Sequence, residues 1–127
     1  MTTSYCYIGC YQDNGSPRDL PNIFSLSSVT IEACITECKT NGYLYAGLQD
    51  KWEWSHLIIF VFWFFNFWNF QSHQCFCGNS YGSYGLATNC NMNCAGNTNE
   101  ICGGYSTNSI YSTQCLQSIY VKFLNKK

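Results

Sequence analysis

Apolar and polar positions alternate over residues 5–11, Tyr-Cys-Tyr-Ile-Gly-Cys-Tyr, with the two-residue period of a strand. Residues 12–22 break that period with turn formers: Asp13, Asn14, Gly15, Ser16 and Pro17, then Arg18, Asp19, Leu20 and Pro21. The period then changes. Ile31, Cys34, Ile35 and Cys38 recur at i, i+3, i+4 and i+7, which predicts one buried stripe on a helix over residues 31–40. Thr30 is placed to cap this helix, Glu32 and Lys39 suit the dipole at its two ends, and Gly42 can terminate it. Residues 43–49 and 75–77 read as strands and residues 109–113 as a closing strand. Residues 78–104, rich in Gly, Asn, Ser and Tyr, read as loops pinned by Cys90, Cys94 and Cys102; the tail, residues 116–127, carries no clear period.

The cysteine spacing links two of these elements. Cys34 and Cys38 are four apart, so on a helix they share a face about 6 Å apart along the axis. Cys75 and Cys77 are two apart, so on a strand they share a face about 6.6 Å apart. The two spacings match, and one helix can be fastened to one strand by two side-by-side disulfides with little strain.

Ten cysteines in 127 residues point to a disulfide framework in an oxidising compartment. The N-terminal residues lack the basic and apolar stretches of a secretory leader, so the leader is expected to lie outside this chain. Charged residues are only 10% and the net charge is −1, which leaves no basic patch for a phosphate backbone and argues against nucleic acid. Aromatic residues reach 18%, which with abundant Gly and Asn suits sugars or proteins better than ions. Asn14-Gly15-Ser16 is a glycosylation sequon weakened by the proline that follows it.

The motifs resemble those of the WSC domain, the extracellular cysteine-rich module of fungal cell-wall stress sensors and Kremen-type receptors. The resemblance rests on Gly9-Cys10-Tyr11-Gln12-Asp13, Arg18-Asp19-Leu20, Cys34-Ile35-Thr36-Glu37-Cys38 and residues 42–49. It continues through Gln74-Cys75-Phe76-Cys77-Gly78-Asn79, residues 90–97 and Ile101-Cys102-Gly103-Gly104. It implies one domain over residues 5–115. The fold class implied is α+β: a small disulfide-rich module of the PAN/apple kind, with an antiparallel sheet and one or two short helices. The implied pairing is Cys10–Cys90, Cys34–Cys75, Cys38–Cys77 and Cys94–Cys102. Cys6 and Cys115 depart from the family pattern. Each lies on a predicted strand at a chain end, and in the fold type that the resemblance implies the end strands tend to be neighbours, so a fifth bond, Cys6–Cys115, is expected; the rival is a free or intermolecular thiol at each end.

Residues 50–71 do not fit the resemblance, because family members place a short connection there. The excess holds all four tryptophans (Trp52, Trp54, Trp63, Trp68), and residues 57–70 are almost wholly apolar. Three readings compete: a retained intron, an aromatic hairpin that grips a partner, and a membrane-dipping loop. The intron is favoured, because Phe and Trp codons are T-rich and Phe70-Gln71 is what a pyrimidine tract followed by CAG would encode. Membrane contact is disfavoured, since the run falls short of the roughly 17–25 residues that span a bilayer as a helix.

Metal binding is the rival use of paired cysteines, but the spacings are not those of zinc sites and neither His56 nor His73 completes one. No metal or cofactor is expected. Catalysis lacks a pattern too: Asp13 and Asp19 suit a turn with Arg18, Glu32 and Glu37 ride a helix, and no nucleophile–base arrangement is visible. The expectation is a non-enzymatic, extracellular carbohydrate-binding module, with a polysaccharide such as a β-glucan, or a glycoprotein glycan, as ligand. Aromatic rings cover the apolar faces of sugars while amides satisfy the hydroxyls, which singles out Asn79, Tyr81, Tyr84, Tyr105 and Asn108. Tyr81 and Tyr84 are read as lying on a pliable loop; each tyrosine is equally open to a plain packing role. The alternative function is a protein-interaction module of a receptor ectodomain.

Overall fold

The computed structural model describes residues 5–14, 16–26, 28–49, 71–72 and 74–115. Its elements are β1 (Tyr7–Gln12), β2 (Asn22–Ser25), α1 (Ile31–Thr40), β3 (Tyr45–Gln49), β4 (Gln71–Ser72), β5 (Gln74–Gly78), β6 (Asn93–Cys94) and β7 (Thr107–Ser112). Five strands form one antiparallel sheet in the order β1-β7-β3-β5-β2, and β4 pairs with β6 in a small parallel ribbon. The first and last strands of this set, β1 and β7, are neighbours, with Tyr11 opposite Asn108 and Gln12 opposite Thr107. One helix, a five-stranded antiparallel sheet and five disulfides make this a small disulfide-rich α+β module.

The helix forms where its stripe and caps place it. Thr30 Oγ1 accepts the Ala33 amide at 3.0 Å, and the Asn41 and Gly42 amides close the last turn on the Glu37 and Lys39 carbonyls. Gly42 takes φ +84°, a left-handed conformation that ends helices at low steric cost. A second acceptor comes from far along the chain: Glu100 Oε1 takes the Ile31 amide at 3.4 Å, setting a carboxylate at the helix N-terminus.

Strand alternation divides the buried side chains between two faces. On one, Val29, Ile31, Cys34 and Cys38 pack on Ala46, Leu48, Cys75, Cys77 and Tyr111. On the other, Leu20, Phe76 and Ile110 form a smaller core, with Tyr11, Tyr45 and Tyr81 against it. Gly47 makes room for the second core, because a Cβ there would run into the Leu20 side chain.

All five expected disulfides are present: Cys6–Cys115, Cys10–Cys90, Cys34–Cys75, Cys38–Cys77 and Cys94–Cys102, with Cα separations of 4.8 to 6.0 Å. The bonds from α1 to β5 run side by side as the spacing requires, and all four of their cysteines are 0% exposed. Cys6 and Cys115 pair because their strands do: the Ser112 amide donates to the Cys6 carbonyl at 3.0 Å. The strand β2 lies inside no predicted element. It is a four-residue edge strand, with Ile23 opposite Phe76 of β5. Most of the aromatic excess, residues 50–70, lies outside the described residues.

Candidate functional site

Three half-buried tyrosines meet on the face away from the helix. Tyr11 comes from β1, Tyr45 opens β3, and Tyr81 descends from the loop after β5. The Tyr81 ring centroid lies 5.2 Å from that of Tyr11 and 4.7 Å from that of Tyr45, at interplanar angles of 62° and 75°. These are edge-to-face contacts, the arrangement favoured by ring quadrupoles. The array is therefore a corner rather than a flat floor: Tyr81 cannot lie coplanar with either neighbour.

The loop that carries Tyr81 is pinned along its length. Asn79 Oδ1 accepts the Leu44 amide at 3.0 Å, the Ser83 amide donates to Asp19 Oδ2 at 2.9 Å, and the Tyr84 hydroxyl donates to the Pro17 carbonyl. The Gln12 amide donates to the Gly85 carbonyl and the Ala87 amide to the Cys10 carbonyl, each at 2.9 Å, so residues 85–87 run along the outer edge of β1. Leu86, bridged to Tyr11, is 73% exposed beside the tyrosines.

A second loop supports the first. Arg18 Nη1 donates to Asp13 Oδ2 at 2.8 Å, and the Arg18 guanidinium lies over the Phe76 ring, 4.8 Å from its centroid. Burial pushes the Asp13 carboxyl above its ordinary pKa, and the neighbouring Arg18 charge only partly offsets this. Asp13 and Arg18 thus organise the turn, while Asp19 reaches across to the tyrosine loop.

Of the residues singled out in the sequence, Asn79, Tyr81 and Tyr84 share this pinned loop, with Asn79 exposed and the two tyrosines half-buried. Tyr105 belongs to a separate turn ahead of β7, 50% exposed, with its carbonyl accepting from Asn89 Nδ2 at 3.3 Å. Asn108 is 3% exposed inside β7, so its side chain is not part of a surface; it points toward Gly47, the face that Leu20 covers. Tyr11 and Tyr45 were not among those residues. The signal for them is parity: Cys75 and Cys77 face the helix, so neighbouring positions of opposite phase line the other face.

Four of the five described carboxylates are engaged structurally: Asp13 with Arg18, Asp19 with the loop, Glu100 at the helix start and Glu37 with Asn41 Nδ2 at 3.3 Å, while Glu32 is exposed in the first turn of α1. The Sγ atoms of Cys34, Cys38 and Cys75 lie within 4.8 Å of one another, close enough to suggest a metal site. All three are in disulfides, however, and a disulfide sulfur lacks the thiolate charge that binds zinc. Among the described residues no helix is long and apolar enough to cross a membrane.

The profile of the WSC domain matches residues 7–54 and 65–104, which leaves residues 55–64, inside the aromatic excess, between the matched stretches. A WSC domain-containing protein of Arthroderma benhamiae is 33% identical over 84% of this chain, a match covering 10% of that protein. Human Kremen protein 1 is 31% identical over 76% of the chain and 17% of its own length, and human Kremen protein 2 is 26% identical over 83% and 19%. The chain thus corresponds to one small part of each of these longer proteins. The matched stretches cover more than half of the chain, and the chain belongs to the WSC domain family.

Proposed function

We infer that this chain is an extracellular, non-catalytic binding module that takes a polysaccharide, such as a β-glucan, on its tyrosine corner. The observation that carries the reading is the Tyr11–Tyr81–Tyr45 array, held half-exposed by a loop whose two ends and middle are hydrogen-bonded. A sugar ring offers a flat C–H face and a rim of hydroxyls. A corner of rings receives the face, while the Nδ2 donor of the exposed Asn79, whose Oδ1 is taken by the Leu44 amide, satisfies the rim. Preorganisation matters, because a loop that is already pinned loses little freedom on binding. The contact area is small, so binding is weak for one module and strengthened by display of several on one surface.

The test is retention on insoluble β-glucan, cellulose and chitin. The intact protein should be retained on at least one, and Tyr81→Ala should weaken retention about tenfold with the disulfides intact. Absence of retention on all three would remove the polysaccharide reading.

A second reading, a docking module for a protein, is favoured by one observation. Leu86 is the most exposed of the large apolar side chains described, and it adjoins the tyrosines. An aliphatic side chain in that position suits a protein partner better than a sugar, and such a partner would need to bury more than about 1,000 Å² in all.

A further inference from the structure

We propose that Cys38 and Cys75, which are not bonded to each other, form an internal thiol–disulfide exchange pair that gives the module a second covalent form. The α1-to-β5 bonds are Cys34–Cys75 and Cys38–Cys77. Between them, Cys38 Sγ stands 3.9 Å from Cys75 Sγ, and Cys34, Cys38 and Cys75 keep all three sulfurs within 4.8 Å. A third pairing therefore needs one sulfur to close by about 2 Å to reach bonding distance. It needs no movement of one element past the other.

The chemistry balances without an oxidant. When Cys38 is a thiolate, its sulfur attacks Cys75 Sγ; the Cys38–Cys75 bond forms as the Cys34–Cys75 bond breaks, and Cys34 leaves as the thiolate. When Cys75 is the thiolate, it attacks Cys38 Sγ; the same Cys38–Cys75 bond forms as Cys38–Cys77 breaks, and Cys77 leaves. An external dithiol that reaches either native bond during local opening of the fold supplies two electrons to it, is itself oxidised to a disulfide, and starts one route or the other. Both routes end in one species, with Cys38 joined to Cys75 and with Cys34 and Cys77 as thiols. That species is distinctive, because no native bond joins Cys34 to Cys77.

Burial supports an internal route. All four cysteines are 0% exposed, so a sulfur released here meets its neighbour before it meets solvent. The surrounding frame stays closed through Cys6–Cys115, Cys10–Cys90 and Cys94–Cys102. The inference stands on the sulfur positions alone and is independent of any ligand at the tyrosines.

Mirror variants test it without a reductant. In Cys77→Ser the unpaired thiol should divide between Cys38 and Cys34, and in Cys34→Ser between Cys75 and Cys77, each in amounts within about tenfold of each other. Alkylation under acid quench followed by peptide mapping reads this out, together with the Cys38–Cys75 cross-link. Should a variant fail to fold, limited reduction of the wild-type protein gives the same answer: molecules alkylated at both Cys34 and Cys77. A Cys38–Cys75 cross-link in any arm supports the exchange pair. Label confined to native partners in every arm, with no such cross-link, overturns it.

Discussion

On the helix side of the sheet, α1 is joined to β5 by two covalent bonds and to the strands by a dry core of cysteines and aliphatic side chains. On the other side, the covering loops are joined by single hydrogen bonds, one ion pair and ring contacts around a three-residue core. The first arrangement resists change because its covalent bonds restrict the unfolded chain. The second depends on each contact being made in the native state. A small domain cannot bury enough surface to fix both faces by packing alone, so the cross-links secure one face and leave the other to present side chains.

The largest expected effect breaks the covalent side. Replacing both Cys34 and Cys75 by serine should lower stability by about 2–5 kcal/mol in urea titration, because a 41-residue separation is released and two hydroxyls enter an apolar core. A loss under about 1 kcal/mol would mean that α1 is held chiefly by packing. Next comes the tyrosine side. Leu20→Ala removes a side chain that is 1% exposed over Gly47 and should cost about 2–4 kcal/mol by the same titration. It should also weaken any retention that depends on Tyr81, which the serine pair should affect less. Equal effects of the two changes on retention would erase the distinction between the faces.

The smallest effect is a pH dependence. Burial raises the Tyr111 hydroxyl to about 12, whereas an unfolded tyrosine ionises near pH 10. Above pH 10 the unfolded state loses a proton that the native state keeps. Stability should therefore fall as pH rises from about 10 toward 12. Tyr111→Phe should flatten that slope in denaturant titrations; an unchanged slope would assign it to other groups.

The helix and its two covalent rungs were legible in the sequence because they follow from two short periods, four residues on the helix and two on the strand. Both are fixed by local geometry and need no knowledge of neighbours. The fifth bond was legible for a different reason: the fold implied by the family resemblance tends to set the end strands side by side, and β1 and β7 do pair. The site was only partly legible. Tyr81 and Tyr84 were visible as aromatic residues among glycines, but Tyr11 and Tyr45 join them only because β1 and β3 flank β7, a relation that no local pattern states. Their loop is pinned by Leu44, Asp19 and Pro17, all distant in sequence, so its composition suggested more freedom than its contacts allow.

Asn108 misled in the opposite way. The run Thr107-Asn108-Ser109 looks like surface, yet β7 sits between β1 and β3 and is buried through Tyr111. Of the three side chains Ser109 is used internally, its Oγ accepting the Gly103 amide at 3.0 Å, whereas Thr107 Oγ1 and Asn108 Oδ1 are buried without a hydrogen-bond partner among the described residues. The edge strand β2 escaped notice because four residues after a proline are too short to set a period. Glu100 escaped because a helix-capping acid is sought next to its helix, and this one lies 69 residues away.

The bond between Cys6 and Cys115 brings the two ends of the module to one point, with Cα atoms 5.5 Å apart. Any chain that enters at Cys6 and leaves at Cys115 is short-circuited there. Tension pulled through such a chain runs across that one link and leaves the sheet, the helix and the tyrosine corner unloaded. The module can hang from a stretched polypeptide as a pendant and keep its shape while the line it hangs from is under strain.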